Sequence, residues 1–309
     1  MSIKIATRTS KLALWQAQWV ADKLKEKNIT SSIIGFKTKG DKLLDSPLAK
    51  IGGKDLFIKE LELAMLDGRA DISVHSFKDF AALPSSDLAI AAVCVREDPR
   101  DALLSFKYED LDSLPKGARV GTTSLRRQMQ LKILRPDLEL ISLRGNIISR
   151  IEKLKSNDFA AIMLAYSGLK RLNMLKDITF VTAFDTDYFI PAAAQGALMI
   201  ESKNEASLLE KLSFLNDDIS YKECFIEREF TKMLNGGCGA AIGVHAKYVD
   251  NDTFKLSAVV GLFTGEEYLK DERVYKDYKS AGEDFAKEFI AKGALELIEK
   301  NNALVEELL

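Results

Sequence analysis

The segment IKIATRTSKLALWQAQWVADKLKEKNITSSIIGF, residues 3–36, decides the fold class of this chain. Its first residues, Ile3–Ala6, form a short apolar run that is typical of a buried strand. The apolar residues of Leu12–Lys27 then recur along one side at helical spacing, which predicts a helix. Ile29–Phe36 is again strand-like, so the segment predicts two strands joined by a helix and therefore a parallel sheet.

The same alternation continues as far as Ser202, which predicts an α/β fold with mostly parallel sheets covered by helices. The further predicted helices are Leu56–Leu66, with Asp55 as N-cap and Gly68 just past its end, Ser124–Leu134 and Asn146–Lys155. The further predicted strands are Ala70–His75, Leu88–Val95, Arg119–Gly121, Leu138–Leu143, Ala160–Ala165, Ile178–Ala183 and Ala197–Ser202.

Two proline-containing segments divide this region, and the first of them is strongly polar. We interpret Arg96–Arg100 and Pro191–Gly196 as crossovers between two α/β domains that enclose a cleft. The last third differs, because a helix at Ser220–Leu234, alternating strands across Ala241–Tyr275 and a terminal helix at Gly282–Lys300 predict a small α+β domain. The predicted domains are 1–95 plus 197–216, 96–196, and 217–309.

The composition is that of an ordinary globular protein. Of 309 residues, 47% are hydrophobic and 29% are charged, and the net charge of −2 favours neither a nucleic-acid nor a membrane partner. Cys94, Cys224 and Cys238 are widely spaced and odd in number, which favours a reducing compartment. With no secretory signal at the start, we expect a cytoplasmic protein. His75 and His245 lack the spacing of a zinc site, so no metal is expected.

Three arginine-containing segments lie where a predicted strand gives way to a helix. They are Thr7–Ser10, in which Ser10 can cap the helix, Gly121–Arg127, and Arg144–Asn146 with Arg150 one turn further on. Each segment alone is consistent with a capped helix and solvated arginines. Three at the same topological position indicate a binding site for carboxylate or phosphate groups. The glycine patterns of nucleotide-binding loops are absent, so a nucleotide is not favoured.

Three other segments admit a functional interpretation. Asp79 follows a predicted strand beside Lys78, where it is either half of a surface ion pair or a proton-handling group in a cleft. Cys238 lies between Gly237 and Gly239, either as a small hydrophobe in a turn or as a site of covalent or redox chemistry. The segment Thr38–Lys54 predicts a long loop of the kind that acts as a lid.

In this order, the motifs resemble those of the hydroxymethylbilane synthase family, also called the porphobilinogen deaminase family. The resemblance runs nearly end to end. It is carried by Ile5–Ala17, Gly40-Asp41, Gly52–Phe57, His75–Asp79, Arg96–Asp101, Gly121–Gln128, Leu143–Asn146, Gln195–Ala197 and Gly236–Cys238.

The resemblance implies a fold and an activity. The fold is two domains like those of type II periplasmic binding proteins, plus the small C-terminal α+β domain. The activity is the head-to-tail condensation of four porphobilinogen molecules with release of ammonia, then hydrolysis to linear hydroxymethylbilane for tetrapyrrole (haem) biosynthesis. A dipyrromethane cofactor, covalently attached to Cys238, primes the chain. The implied enzyme is a monomer with porphobilinogen as its small-molecule partner.

The resemblance also assigns residues. Each porphobilinogen carries an acetate and a propionate, so a growing chain requires several arginines, whose planar groups pair with carboxylates. Asp79 matches the catalytic aspartate. The residues matched to the cofactor are Cys238, Lys78, Asp79, Thr122, Ser124, Arg126, Arg127, Arg144 and Gly145. The residues matched to the substrate are Arg8, Ser10, Phe57, Arg150 and Gln195.

The chain departs from the family pattern beside these positions. Phe77 stands where the family has Met, Phe80-Ala81 replaces Val-Pro, and Asp55 replaces a common Gly. Gly239–Ala241 replaces the usual Gln-Val-Pro. The alternatives to the enzyme are a non-catalytic anion-binding protein of the same two-domain fold and an interaction protein without chemistry. The glycine-flanked Cys238 argues against the first, and arginines at three strand ends argue against the second.

Overall fold

We describe the chain from a computed structural model that covers residues 2–37, 55–80, 86–156, 158–236 and 240–307, with side chains in the second range from Ile58 onward. The predictions that lie outside these residues concern the lid Thr38–Lys54, the side chains of Asp55 and Phe57, Ala81, and Cys238 with its flanking Gly237 and Gly239. None of the helices in the described ranges is long and apolar enough to span a membrane.

The regular elements, numbered in chain order, follow the predicted alternation. The strands are β1 (Ile3–Arg8), β2 (Ser31–Phe36), β3 (Ile72–Ser76), β4 (Leu88–Val93), β5 (Asp101–Ser105), β6 (Arg119–Gly121), β7 (Glu139–Ile141), β8 (Ala161–Ala165), β9 (Phe180–Ala183), β10 (Leu198–Lys203), β11 (Ile242–Asp250), β12 (Thr253–Gly261) and β13 (Tyr268–Lys276). The helices are α1 (Lys11–Glu26), α2 (Asp55–Leu66), α3 (Leu125–Leu134), α4 (Ile147–Lys155), α5 (Tyr166–Arg171), α6 (Ala206–Leu212), α7 (Asp218–Met233), α8 (Tyr278–Ala291) and α9 (Ala294–Glu307).

The chain divides into two compact units. The first unit contains Met1–Glu97 and Gly196–Tyr221, and the second contains Asp98–Gln195 and Lys222–Leu309. The predicted division into three domains, with a cleft between the first two, stays a prediction.

The first unit is built on a five-stranded sheet with the order β2-β1-β3-β10-β4. β1 runs parallel to β2 and β3, while β10 is antiparallel to both of its neighbours. Four strands therefore share one direction, as predicted. One face of the sheet packs Ile5 and Ile72 against Val20 of α1, and the other packs Ala6 against Leu61 of α2. The apolar alternation of the strands thus supplies a core on both faces.

The second unit repeats this plan in the sheet β7-β6-β8-β5-β9, in which β5 is the reversed strand. The strand β5 was not predicted, because its first residue, Asp101, directly follows the polar segment Arg96–Arg100. Leu103 of β5 is nevertheless buried with Val120 and Met163 in the core of this sheet. The prediction of mostly parallel central sheets is therefore confirmed for both units.

The second unit also contains the C-terminal α+β part. Its strands form the antiparallel sheet β11-β12-β13, and a core with Phe230, Phe254 and Phe285 joins that sheet to α7 and α8. The prediction of one terminal helix at Gly282–Lys300 is wrong. Two helices occupy this part of the chain, and between them Gly293 has a φ of +93°, a left-handed conformation that ends a helix.

Candidate functional site

Four predicted site residues lie at the carboxyl edge of the first sheet. Because β1 and β3 are parallel neighbours, the segments that follow them are adjacent at this edge. Arg8 ends β1, and Ser10 caps α1, since its Oγ accepts a hydrogen bond from the backbone N–H of Ala13 at 3.3 Å. Lys78 and Asp79 lie in the 3₁₀ turn after β3. All four residues are only partly buried.

Two strand-to-helix junctions lie side by side in the second unit. β6 leads to α3 and β7 leads to α4, and the two strands are parallel neighbours. The junctions are also joined directly, because the N–H of Thr122 donates to the carbonyl of Ile141 at 2.9 Å and Oγ1 of Thr123 donates to that of Leu143 at 2.6 Å. Ser124 is the N-cap residue of α3 but makes no side-chain cap bond. This edge therefore presents two helix N-termini, which favour anions.

The second junction depends on a glycine. Gly145 has a φ of +115°, and a Cβ atom there would lie 2.3 Å from Oγ of Ser149. Its carbonyl accepts a hydrogen bond from Nε of Arg150 at 2.8 Å, and Asn146 caps α4 through the N–H of Ser149. The tight turn thus brings Arg144 and Arg150 to the start of one helix, and both are partly buried.

The first junction carries a buried ion cluster, which we call the arginine cluster: Asp101, Arg126, Arg127 and Gln195. Nη1 of Arg126 donates to Oδ2 of Asp101 at 2.6 Å and to the carbonyl of Ile190 at 2.8 Å. Nε and Nη2 of Arg127 both donate to Oδ1 of Asp101, at 3.0 and 2.7 Å. Nε2 of Gln195 donates to the same oxygen at 3.0 Å. Asp101 is fully buried, and the guanidinium residues are 4% and 6% exposed.

The charges of the arginine cluster do not cancel. Burial alone raises the pKa of Asp101, but the charges of Arg126 and Arg127 outweigh it and hold that pKa well below its usual value. Burial lowers the pKa of Arg126, and the charge of Asp101 offsets part of this effect. A guanidinium group stays protonated in proteins. In the described part of the chain, Asp101 is the one carboxylate bonded to either arginine, so the cluster has a net positive charge.

The two arginines differ in how many donors they have left. All three nitrogens of Arg127 are engaged, because its Nη1 donates to the carbonyl of Met163 at 3.1 Å in addition to the bonds with Asp101. Among the described residues, Arg126 forms its hydrogen bonds through Nη1 alone. Nε and Nη2 of Arg126 are therefore the cluster's best donors for a ligand carboxylate.

Asp101 is the site residue that the sequence analysis did not assign. It lies in the quoted segment Arg96–Asp101, and the signal was an acidic residue immediately before the apolar run Ala102–Leu104. A carboxylate at the start of a buried strand requires a cationic partner. Its partners are 25, 26 and 94 residues away in the chain, so no local pattern reveals them.

The structure thus gathers the predicted residues into two groups. Arg8, Ser10, Lys78 and Asp79 lie at one edge of the first sheet. The group in the second unit comprises Thr122, Ser124, Arg126, Arg127, Arg144, Gly145, Arg150 and Gln195. The predicted approach of Asp79 to the arginines, and of Cys238 to both, stays a prediction.

Family models match most of the chain. Residues 3–211 match the model described as "Porphobilinogen deaminase, dipyromethane cofactor binding domain", and residues 221–291 match "Porphobilinogen deaminase, C-terminal domain". The first description names dipyrromethane, the cofactor that the sequence predicted.

Curated relatives match over nearly the full length. The porphobilinogen deaminase of Campylobacter jejuni is 56% identical over 308 residues, which is 99% of this chain and 100% of that protein. Those of Campylobacter fetus and Campylobacter concisus are 52% and 49% identical, over 99% and 96% of this chain and 100% and 97% of the relatives.

Among solved structures, the periplasmic VFT2 domain of Bordetella pertussis BvgS superposes with a TM-score of 0.42 at 14% identity, over 69% of this chain and 85% of that one. The amino-acid transporter binding protein YtmK of Bacillus subtilis gives a TM-score of 0.42 at 12% identity, over 70% and 90% of the two chains.

Proposed function

The chain belongs to the porphobilinogen deaminase family, and from this premise we propose that it joins four porphobilinogen molecules head to tail into hydroxymethylbilane. It is an enzyme of the transferase class. Each condensation releases ammonia, and water finally frees the linear tetrapyrrole. The alternative of a non-catalytic anion-binding protein is not favoured, because the full-length relatives are porphobilinogen deaminases.

The net positive charge of the arginine cluster supports this function most directly. A buried charge that its own neighbours leave uncompensated is costly, unless a ligand of opposite sign supplies the missing partner. Porphobilinogen and its oligomers carry acetate and propionate groups, which provide that partner. Nε and Nη2 of Arg126 are the proposed donors, with Arg127 acting mainly to hold Asp101 and to add charge.

A dipyrromethane bound as a thioether at Cys238 supplies the pyrrole carbon to which the first substrate unit is added. Gly236 lies two residues before Cys238. A Cβ atom on Gly236 would lie 2.5 Å from Cδ1 of Ile242, so the chain that leads to Cys238 packs too closely there for a larger residue. Thr122, Ser124 and the N-terminus of α3 would hold its carboxylates, together with Arg144 and the backbone of Gly145.

The resemblance assigns a separate set of residues to the substrate. We propose that Arg8, Ser10 and Arg150 bind the carboxylates of the incoming porphobilinogen, while Phe57 contacts its ring. Gln195 would act through Asp101, because its amide nitrogen already donates to Asp101 and to the carbonyl of Pro99. The N–H groups at the start of α1 assist Ser10, which already occupies the N-cap position. These residues orient the substrate and neutralise its side chains, which lowers the cost of bringing like charges together.

Asp79 would perform the proton chemistry. When ammonia leaves the aminomethyl group of porphobilinogen, positive charge develops on the pyrrole, and a carboxylate at its N–H stabilises that charge. The new carbon–carbon bond forms at the free pyrrole carbon of the growing chain, and the proton that this carbon loses passes to Asp79. Asp79 is partly exposed at the sheet edge, which leaves it accessible for this transfer.

A stoichiometry measurement tests the function. The purified protein is incubated with porphobilinogen, and ammonia and hydroxymethylbilane are quantified; four ammonia molecules are expected per tetrapyrrole. Asp79→Asn is expected to retain the cofactor but lose nearly all turnover. Failure of the parent protein to consume porphobilinogen would contradict the proposed activity, and near-normal turnover of Asp79→Asn would remove Asp79 from its role. The family resemblance also favours a cytoplasmic monomer. Size-exclusion chromatography with light scattering measures the oligomeric state.

A further inference from the structure

A buried polar triad lies beneath the turn that carries Lys78 and Asp79. Ser73 and His75 lie on the same face of β3, and Glu201 lies opposite Ser73 on β10. Oγ of Ser73 is 2.6 Å from Nε2 of His75, and Oε2 of Glu201 is 3.1 Å from both atoms. Ser73 and Glu201 are fully buried, and His75 is 7% exposed.

The triad leaves one buried polar atom unsatisfied. Within the described residues, Oε1 of Glu201 is buried and accepts no hydrogen bond. An unsatisfied buried carboxylate oxygen costs free energy, and apolar residues of similar size would fill the same space without that cost. A buried group of this kind needs an explanation beyond stability.

An aromatic contact connects the triad to the turn that carries Lys78 and Asp79. The imidazole of His75 packs against the ring of Phe80 with centroids 5.2 Å apart, and Phe80 is 1% exposed. Phe80 directly follows Asp79, and its backbone N–H donates to the carbonyl of Phe77 at 3.1 Å, which closes the 3₁₀ turn. The ring of His75 therefore fixes the residue next to Asp79.

Two further bonds fix the start of the turn. The N–H of Phe77 donates to the carbonyl of Ala197 at 3.1 Å, at the start of β10. Nε2 of Gln16, on α1, donates to Oγ of Ser76 at 2.8 Å. The turn is thus held before Lys78 by α1 and β10 and after Asp79 by the contact of Phe80 with His75. Such support from surrounding elements is what a precisely placed reactive group requires.

We propose that His75, oriented by Ser73 and Glu201, is a positioning residue that holds Asp79 in its reactive place through Phe80. This inference rests on the proposed function, because it takes Asp79 as the catalytic group. In this proposal Ser73 and Glu201 set the direction of the imidazole, and the imidazole sets the turn. The proposal also explains why Phe80 stands where the family has Val, since a ring at this position covers the imidazole of His75.

The test uses Phe80→Leu, which removes the ring contact, and Glu201→Gln, which keeps the shape of the triad but changes its hydrogen bonding. Phe289→Leu is the matched control, because Phe289 is fully buried and lies 5.0 Å from another ring, Phe285, in the C-terminal part of the chain. All variants are compared with cofactor loading verified by intact mass. A misplacement of about 1 Å costs up to about a hundredfold in rate, so we expect kcat to fall roughly ten- to a hundredfold in both test variants, with KM within about twofold.

The control is expected to lose stability but to keep kcat within about twofold of the parent value. Both test variants keeping the parent kcat, or a raised KM at unchanged kcat, would overturn the positioning role. Should Phe80→Leu not fold, Glu201→Gln decides by the same criteria, and Phe80→Tyr is expected to keep kcat because it retains the ring. Asp79→Asn in the same assay separates the two ideas. If it is active, the proposed role of Asp79 fails; if it is inactive while the test variants are normal, only the positioning role fails.

Discussion

Asp101→Asn replaces the carboxylate of the arginine cluster with an amide of nearly the same shape. The parent residue is fully buried and accepts hydrogen bonds from Arg126, Arg127 and Gln195 at 2.6 to 3.0 Å. The variant leaves two buried guanidinium groups without a counter-charge. Removal of one partner from a buried ion pair costs about 3–5 kcal/mol, so the equilibrium constant for unfolding should rise by roughly two to four orders of magnitude.

The assay is urea denaturation of parent and variant in the same cofactor state. Trp15 and Trp19, the two tryptophans of the chain, both belong to the first unit, so circular dichroism rather than tryptophan fluorescence must follow the second unit. Asp67→Asn is the matched control, because Asp67 makes an ion pair of 2.7 Å with Arg69 in which both side chains are at least half exposed. Solvent screens such a pair, and its loss should change stability little.

A double-mutant cycle with Arg127→Met isolates the interaction. The paired substitution removes one cation along with the anion, so the loss should be smaller than the sum of the two single losses. The reasoning would be refuted if Asp101→Asn changed the free energy of unfolding by no more than about 0.5 kcal/mol, the range of ordinary surface substitutions. Strict additivity with Arg127→Met would refute the claimed coupling as well.

Three other predictions concern the same unit. The pKa of Asp101 is lowered in the folded state, so the stabilisation by its carboxylate is present above the unfolded value of about 4 and is lost as the pH falls through the lower folded value. The difference in unfolding free energy between parent and Asp101→Asn, measured by urea denaturation at a series of pH values, should therefore shrink below about pH 4. A difference that stays constant with pH would contradict the assignment. Gly145→Ala should impair cofactor loading, measured by intact mass, because its Cβ would meet Oγ of Ser149 in a left-handed turn; Gly117→Ala, with a φ of +74° and open space, is the matched control and should load normally. Arg126→Leu should reduce cofactor loading or elongation more than Arg127→Leu does. Arg127→Leu should reduce the free energy of unfolding at least as much as Arg126→Leu, because all three nitrogens of Arg127 bond to protein oxygens. Equal losses of function and of stability in the two variants would contradict the proposed division of roles.

The fold was predictable where the sequence pattern is local. Alternating apolar runs predicted both sheets, because strand burial and helix amphipathicity leave periodicities within about ten residues. The N-cap Ser10 was predictable for the same reason, and its side chain accepts the expected backbone hydrogen bond. The short helices Tyr166–Arg171 and Ala206–Leu212 were missed, since six or seven residues make too few turns to show a helical period.

The candidate site was predictable only in part. Strand-to-helix junctions rich in arginine could be located from the sequence, because the carboxyl ends of parallel strands share one edge of a sheet. The burial of Arg126 and Arg127 could not, because it depends on Asp101 and on the carbonyls of Ile190 and Met163, which are distant in the chain. Solvent-exposed ligand-binding arginines and buried paired ones look the same in a sequence, and tertiary contacts alone distinguish them.

The attachment of an oligopyrrole to Cys238 is the central claim, and intact-protein mass spectrometry measures it directly. The purified parent protein should weigh more than its sequence by two linked pyrrole units, and Cys238→Ser should weigh what its sequence predicts. Cys94→Ser serves as the control, because Cys94 is a buried cysteine of the first unit whose replacement should leave the added mass unchanged. Parent protein that turns over porphobilinogen at its unmodified mass, or Cys238→Ser protein that keeps the extra mass, would contradict the account.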